Sequence, residues 1–180
     1  MIALLAPGQG SQTPGMLAEW LELPGAADRI STWSDISGLD LARLGTTATA
    51  EEITDTAVTQ PLVVATTLLA YAEFAKRGLP ATTVVAGHSV GEIAAYAMAG
   101  VISPDQAVTL ASVRGAEMAK ACAAEATGMA AVLGGDEAEV LARLEALELI
   151  PANRNAAGQI VAAGSVAALE KLAEDPPAKA

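Results

Sequence analysis

The sequence predicts an α/β fold, with a parallel-sheet core over residues 1–126 and a smaller α+β subdomain over residues 127–180. Three observations support this prediction. Strands and helical segments alternate through the first part of the chain, which is typical of parallel sheets covered by helices. A β-branched strand runs directly into the Gly87–Gly91 segment and on into a helix. After residue 127 the predicted order changes to strand, helix, strand, strand and helix.

The core opens with a short strand and three helical segments. The apolar run Ile2–Ala6 predicts a buried strand, and the turn-forming residues Pro7–Gln12 end it. Apolar residues at helical spacing then predict three helices. They are expected over residues 16–22, 26–37 and 50–56.

A longer helix and a second strand follow. The helix is expected to begin at Gln60, with Pro61 in its first turn, and to run to Arg77 before Gly78 ends it. The β-branched run over residues 82–87 predicts the strand. This strand leads into the glycine-rich turn.

Clear boundary signals mark the last two helices of the core. The helix after Gly91 is expected to end at Gly100. Ser103 is a good N-cap and Pro104 suits the first helical position, so the next helix runs from there to about Ala124.

The subdomain pattern resembles a ferredoxin-like unit that lacks one strand. Such a unit has the order β-α-β-β-α-β, and the sequence supplies all but the last strand. The predicted elements are Met129–Leu133, Asp136–Ala146, Leu149–Asn153, Gln159–Ala163 and Ser165–Ala173, with a turn at Asn155–Gly158. A proline-rich linker at residues 175–180 follows, so we expect a chain that is cut short.

Composition limits the function classes. With 180 residues, 52% of them hydrophobic, the chain can bury a sizeable core. A net charge of −11 and 3% aromatic residues argue against a nucleic-acid surface, which is basic and stacks bases on aromatic rings. The single cysteine, Cys122, excludes an intrachain disulfide and fits a reducing compartment. Because no signal peptide is evident and no apolar run reaches the roughly 18 residues of a membrane span, we expect a cytoplasmic protein outside the membrane. We also expect a monomer.

The segment Gly87-His88-Ser89-Val90-Gly91 has the pattern of a nucleophile elbow, Gly-x-Ser-x-Gly. In this motif a strained turn between strand and helix lifts a serine out of the sheet. The helix that begins there presents N–H groups and a positive dipole end to a developing oxyanion. We interpret Ser89 as a nucleophile on a hydrolase-like parallel sheet.

The chain offers no well-placed base for this serine. A serine nucleophile needs a group that accepts its proton, most often histidine. The single histidine, His88, is adjacent to Ser89, and adjacent side chains at an elbow point in different directions. We therefore interpret His88 as a residue that packs against the turn and expect the base beyond residue 180.

The Gly8-Gln9-Gly10 loop is expected to lie beside the Ser89 turn, because loops at the carboxyl ends of neighbouring parallel strands meet in one crevice. There the backbone N–H of Gln9 is expected to pair with that of Val90 as an oxyanion hole. Thr13 occupies the place of the third glycine of a dinucleotide-binding fingerprint, so that interpretation is weaker.

Arg114 lies in a largely apolar helical stretch, where it is either a surface residue or a buried cation that awaits an anion. Its planar fork suits a carboxylate, while Glu92 and Glu117 are possible structural partners. Asn155 and Gln159 are most simply turn residues on their pattern alone. No cluster with metal-ligand spacing is evident, so no metal is expected.

Five segments in this order carry a specific resemblance. They are Pro7–Gln12, Gln60–Pro61, Gly87–Glu92, Arg114–Gly115 and Asn153–Gly164. Together they strongly resemble the malonyl-CoA:acyl carrier protein transacylases, which are related to the acyltransferase domains of polyketide synthases. The similarity extends over essentially the whole chain.

The resemblance implies transfer of a malonyl group to acyl carrier protein for fatty acid synthesis. Ser89 would attack malonyl-CoA, the N–H groups of Gln9 and Val90 would hold the oxyanion, and the malonyl ester would pass to the phosphopantetheine thiol of acyl carrier protein. Arg114 matches the arginine that binds the free carboxylate, and Asn155 and Gln159 match positions that face the cleft. The resemblance thus implies three substrate-binding residues, Arg114, Asn155 and Gln159.

The resemblance also implies that no cofactor is bound and that the catalytic histidine of the family follows the subdomain, outside this sequence. The chain alone is therefore expected to be inactive as a transferase. Two alternatives stay open, which are a serine esterase or thioesterase and a non-catalytic fragment that binds acyl carrier protein.

Overall fold

The computed structural model describes residues 2–80 and 83–178. Two compact units are present, Met1–Ala119 and Lys120–Ala180, and the division lies within one long helix. The α/β class with a parallel sheet is confirmed. We propose residue 126 as the domain boundary, because this helix has ended at Ala124.

The first unit holds two strands and a set of helices. In chain order they are β1 (Ile2–Ala6), α1 (Ala18–Leu21), α2 (Ala26–Ser37), α3 (Leu41–Thr46), a 3₁₀ turn (Glu52–Thr54), α4 (Thr56–Ala75), β2 (Thr83–Gly87), α5 (Gly91–Met98) and α6 (Pro104–Ala124). Strands β1 and β2 pair in parallel, with Ala6 opposite Gly87. Both strands therefore end at the same edge, where the β1 loop and the glycine-rich turn begin. Thr82, which was predicted to open β2, lies outside the described residues.

The second unit has the predicted strand and helix order. Its elements are β3 (Thr127–Leu133), α7 (Glu137–Ala146), β4 (Ile150–Ala156), β5 (Gln159–Ser165) and α8 (Val166–Glu174). The antiparallel sheet has the order β3-β5-β4, which is that of a split βαβ motif. The side chains of Asp136 and Ser165 accept hydrogen bonds from first-turn N–H groups of α7 and α8. Leu144 and Leu172, fully buried, join the two helices to the core of this unit.

Helix α4 forms the centre of the first unit, and Leu62, Val63 and Val64 are each at most 1% exposed. By length and composition alone α4 would suit a membrane span, contrary to the expectation from apolar runs. Half of that stretch is buried against the unit's own helices, as in the core helix of a folded domain. The expectation that the chain stays outside a membrane remains a prediction.

The predicted start of α4 at Gln60 is wrong. The helix begins at Thr56, because the Asp55 side chain accepts a hydrogen bond from the N–H of Ala57 and caps it. Pro61 consequently lies inside the helix and not in its first turn. Proline there removes one backbone hydrogen bond, which the buried surroundings of α4 tolerate.

The predicted helix over residues 50–56 is a short 3₁₀ turn with a reciprocal cap. Glu52 Oε2 accepts a hydrogen bond from the N–H of Thr49, and Thr49 Oγ1 accepts one from the N–H of Glu52. The Thr49 backbone and the Arg43 guanidinium lower the pKa of Glu52. Helix α3, which the sequence analysis left out, begins at a similar cap on Asp40.

Two other boundaries differ from prediction. Helix α1 is confined to Ala18–Leu21, within the predicted 16–22. Strand β4 extends to Ala156, with bulges in its pairing, so Asn155 belongs to a strand and the hairpin turn is only Ala157-Gly158. Gly158 adopts φ 75°, which lets two residues close the hairpin.

Candidate active site

The glycine-rich segment after β2 forms a tight strand–turn–helix. Ser89 has φ 54°, in the left-handed region that side chains rarely adopt, and its side chain is exposed. A Cβ on Gly87 would lie 2.2 Å from the carbonyl carbon of Gly91, and a Cβ on Gly91 would lie 2.3 Å from Ala6 O. Glycine is therefore required on both sides of the serine for the turn to close against β1.

Replacing Gly91 by alanine is expected to destabilise the first unit by about 2–4 kcal/mol, because backbone atoms that cannot move aside surround the position. Gly100→Ala is the matched control, since Gly100 has φ 75° and no atom within 4 Å of its Cβ position. That control is expected to cost about 1 kcal/mol through backbone strain alone. Urea unfolding of both variants measures the difference, and equal losses would contradict the close approach.

The loop after β1 lies against this turn. The N–H of His88 donates a hydrogen bond to Ala6 O at 3.0 Å. A Cβ on Gly8 would lie 2.6 Å from His88 O and 2.8 Å from His88 Nδ1, so the imidazole ring lies over the loop. This packing supports the interpretation of His88 as a residue that braces the two loops, and it brings Gln9 beside the turn.

Arg114 connects helix α6 to the serine. Its Nη2 donates to Ser89 Oγ at 3.2 Å, and its Nη1 donates to Gln60 Oε1 at 2.6 Å. The arginine is half-buried and belongs to the same unit as the serine. The structure therefore brings together two residues that are 25 positions apart and were predicted to share a site.

Helix α4 supplies two contacts that the sequence analysis missed. Gln9 Nε2 donates to Thr56 Oγ1 at 2.9 Å, at the first residue of α4. One turn later on the same helix, Gln60 holds Arg114. An amide within a long apolar segment was the available signal for Gln60, because such a side chain needs a partner when buried.

These contacts form a closed chain of neighbours around Ser89. The turn is linked to the β1 loop, the loop to the start of α4, α4 to α6, and α6 back to the serine. The arrangement places a nucleophile, a guanidinium and the N-terminus of α5 at one edge of the parallel sheet. It suits attack on an acyl group that carries a negative charge.

Asn155 and Gln159 lie in the second unit, on β4 and β5. Asn155 is exposed and Gln159 is half-buried opposite Leu133. Their substrate contacts remain predictions. Among residues 2–80 and 83–178, no group of three or more His, Cys, Asp or Glu residues is placed to hold a metal ion.

Comparisons with known proteins show what the chain resembles. The malonyl CoA-acyl carrier protein transacylase of Mycobacterium tuberculosis strain H37Rv is 75% identical over 182 residues, which cover 100% of this chain and 60% of the relative. The crystal structure of MCAT from Mycobacterium tuberculosis superposes with a TM-score of 0.94 at 74% identity and covers 99% of this chain and 60% of that one. The chain therefore spans about three-fifths of the length of these relatives.

A third comparison is the solved complex of AntF, a type II PKS acyl-carrier protein, with its malonyl-transacylase, PlMCAT. It has a TM-score of 0.85 and 34% identity, and it covers 96% of this chain and 58% of that chain. The resemblance inferred from the five sequence segments is thus confirmed. The family model described as the acyl transferase domain matches residues 4–179. A match over nearly the whole length makes this chain a member of the acyl transferase domain family.

Proposed function

We propose that this chain carries the nucleophile and the carboxylate-binding arginine of a malonyl-CoA:acyl carrier protein transacylase. The observation that carries the proposal is the 3.2 Å contact between Arg114 Nη2 and Ser89 Oγ. In a malonyl ester on Ser89, one methylene group separates the ester carbonyl carbon from the free carboxylate. The carboxylate is therefore within reach of this guanidinium. Arginine binds a carboxylate through two parallel N–H donors, which gives geometry as well as energy.

In the proposed reaction Ser89 Oγ attacks the thioester carbon of malonyl-CoA and gives its proton to a base. The C–O bond forms, the C–S bond breaks, and coenzyme A leaves as a thiol after it takes up a proton. The phosphopantetheine thiol of acyl carrier protein then attacks the ester carbon and receives the malonyl group, which restores the Ser89 hydroxyl. Each step passes through a tetrahedral oxyanion.

Two backbone N–H groups are proposed to hold this oxyanion. Val90 is buried at the N-cap position of α5, directly after Ser89, where the first N–H groups of a helix point outward. Gln9 follows Gly8, whose backbone touches His88, so its N–H is near the same turn. The bond from the Gln9 side chain to Thr56 limits the motion of this loop.

The proposed substrates and partners follow from the family and from the names of the relatives. Malonyl-CoA donates the acyl group, acyl carrier protein accepts it, and the product serves fatty acid synthesis. No bound cofactor is required by this chemistry. We further propose that Asn155 and Gln159 contact the substrate and that the chain is a cytoplasmic monomer. A serine esterase would use the same turn but would have no role for Arg114.

Mass spectrometry after incubation with malonyl-CoA tests this proposal. With imidazole added as the base, the expected result is a malonyl adduct on the peptide that contains Ser89, absent in Ser89→Ala. Ser112→Ala is the matched control, because Ser112 lies on α6 and donates to Val108 O within its own helix. An adduct that persists in Ser89→Ala would exclude Ser89 as the nucleophile. Binding of acyl carrier protein without any adduct would favour the non-catalytic alternative.

A further inference from the structure

We propose that Gln60 is a positioning residue that sets the preference of this site for acyl groups with a free carboxylate. It does so by holding the Arg114 guanidinium with one edge toward Ser89. The inference rests on the proposed function of Arg114 as the carboxylate-binding residue. It adds a second residue, on a different helix, to the determinants of substrate choice.

The burial of Gln60 is the first argument. Its exposed fraction is 0%, and it is followed on α4 by Pro61 and Leu62, which are also buried. A buried amide without hydrogen-bond partners destabilises the fold by roughly 1–3 kcal/mol, so a buried glutamine needs partners for its oxygen and its nitrogen. Gln60 has partners on both amide atoms, and both belong to α6. Oε1 accepts from Arg114 Nη1 at 2.6 Å, and Nε2 donates to Met118 Sδ at 3.1 Å.

These two partners leave the amide only one orientation. A guanidinium is a donor only, so the oxygen of Gln60 must face Arg114. A thioether is an acceptor only, so the nitrogen must face Met118. Arg114 and Met118 are four residues apart and therefore lie on the same side of α6. The flipped orientation of the Gln60 amide is therefore excluded, because it would face a donor with its nitrogen and an acceptor with its oxygen.

Gly115 allows α6 to come close enough for these bonds. A Cβ at this position would lie 2.8 Å from Thr56 O and 3.2 Å from the Cα of Ala57 on α4. The same Cβ would lie 3.4 Å from the Cβ of Gln60. The two helices therefore touch by their backbones beside the Gln60–Arg114 bond, which limits the movement of both residues.

The neutrality of Gln60 is the second argument. Its carbonyl oxygen orients the guanidinium but does not cancel the positive charge, so Arg114 still requires an anion. With Nη1 held by Gln60, Nη2 is directed at Ser89 Oγ, where an acyl group would be attached. A carboxylate at position 60 would keep the geometry and neutralise the cation. Gln60→Glu is therefore a change of charge that preserves the size of the side chain.

The experiment measures dissociation constants for malonyl-CoA and acetyl-CoA by titration calorimetry on the full 180-residue chain. The wild-type chain is expected to prefer malonyl-CoA. Gln60→Glu is expected to reduce that preference by about tenfold or more, the value of a charge-assisted hydrogen bond. Its affinity for acetyl-CoA is expected to stay within about twofold, since an acetyl group makes no ion pair with Arg114.

Two further variants separate positioning from stability. Met118→Leu removes the thioether acceptor and keeps the packing volume, and it is expected to reduce the preference by about threefold, the effect of a neutral hydrogen bond. Thr59→Val removes the buried hydroxyl that donates to Ile53 O, beside Gln60 but outside the site. It is expected to lower the melting temperature and leave the ratio of affinities unchanged.

The outcomes are distinct. Equal affinities of the wild-type chain for the two thioesters would overturn the proposed function and this inference with it. A wild-type preference that Gln60→Glu and Met118→Leu both retain would overturn this inference alone. An equal loss of preference in Thr59→Val would also overturn it, because the effect would then follow from stability.

Discussion

Turnover by the 180-residue chain, supplied with malonyl-CoA and acyl carrier protein, is expected to be about a millionfold below that of the full-length Mycobacterium tuberculosis relative. The reason is that the 180 residues include no histidine other than His88 that could serve as the base for Ser89. The chain contains one histidine, His88, and its Nδ1 lies over the Gly8 loop. Arg114, which does contact Ser89 Oγ, is a donor and cannot accept the serine proton.

Formation of malonyl-acyl carrier protein under steady-state conditions measures this difference, with the relative assayed in parallel. Added imidazole is expected to raise the rate of the chain by supplying a base from solution, and Ser89→Ala is expected to abolish the gain. A rate within tenfold of the relative that falls in His88→Gln would contradict the prediction and identify His88 as the base.

Local features of the sequence predicted the elbow well. A β-branched run, two glycines around a serine and an immediate helix are adjacent in the chain, and their geometry depends on neighbours within a few residues. The structure explains the motif: Ser89 has a left-handed φ, and neither Gly87 nor Gly91 has room for a Cβ. The caps on Ser103 and Ser165 were predictable for the same reason, because each bonds within its own first turn.

Features that depend on long-range contacts were not predictable. Gln60 and Arg114 are 54 residues apart, and nothing in either segment specifies that α4 and α6 touch at Gly115. Gln9 and Thr56 are likewise joined only by the fold. Pro61 predicts a helix start at Gln60, because proline is common in a first turn, whereas the Asp55 cap starts the helix one turn earlier.

The second unit shows a different limit of sequence reasoning. Asparagine and glycine favour turns, so the Asn155–Gly158 segment was expected to be a turn. Pairing with β5 extends β4 through Asn155 to Ala156 instead, with bulges that accommodate the irregular register. Pairing of Arg154 and Ala156 with β5 thus keeps Asn155 in the strand, at the register shift between them, while Gly158 keeps its predicted role in the turn.

Arg114→Ala is expected to lower the rate of Ser89 acylation by malonyl-CoA by about a hundredfold, the value of a bidentate, charge-assisted pair. The substitution removes the guanidinium that reaches Ser89 Oγ from α6, and with it the cation proposed to bind the malonyl carboxylate. Acylation by acetyl-CoA is expected to change by less than about threefold, because a methyl group gains nothing from a guanidinium. Mass spectrometry of the Ser89 peptide over time, with imidazole added as the base, gives both rates.

Arg114→Lys separates charge from geometry. An ammonium keeps the charge but is a single point donor, so it cannot bond Gln60 Oε1 and a carboxylate in the fixed arrangement of the fork. We expect a loss of about tenfold for malonyl-CoA, between the wild type and Arg114→Ala.

Arg43→Ala is the matched control, since it removes an arginine of the same unit whose partner is Glu52, outside the site. Equal losses for malonyl-CoA and acetyl-CoA in Arg114→Ala would contradict a carboxylate-binding role. They would mean that Arg114 acts on the Ser89 hydroxyl and that another residue selects acyl groups with a carboxylate.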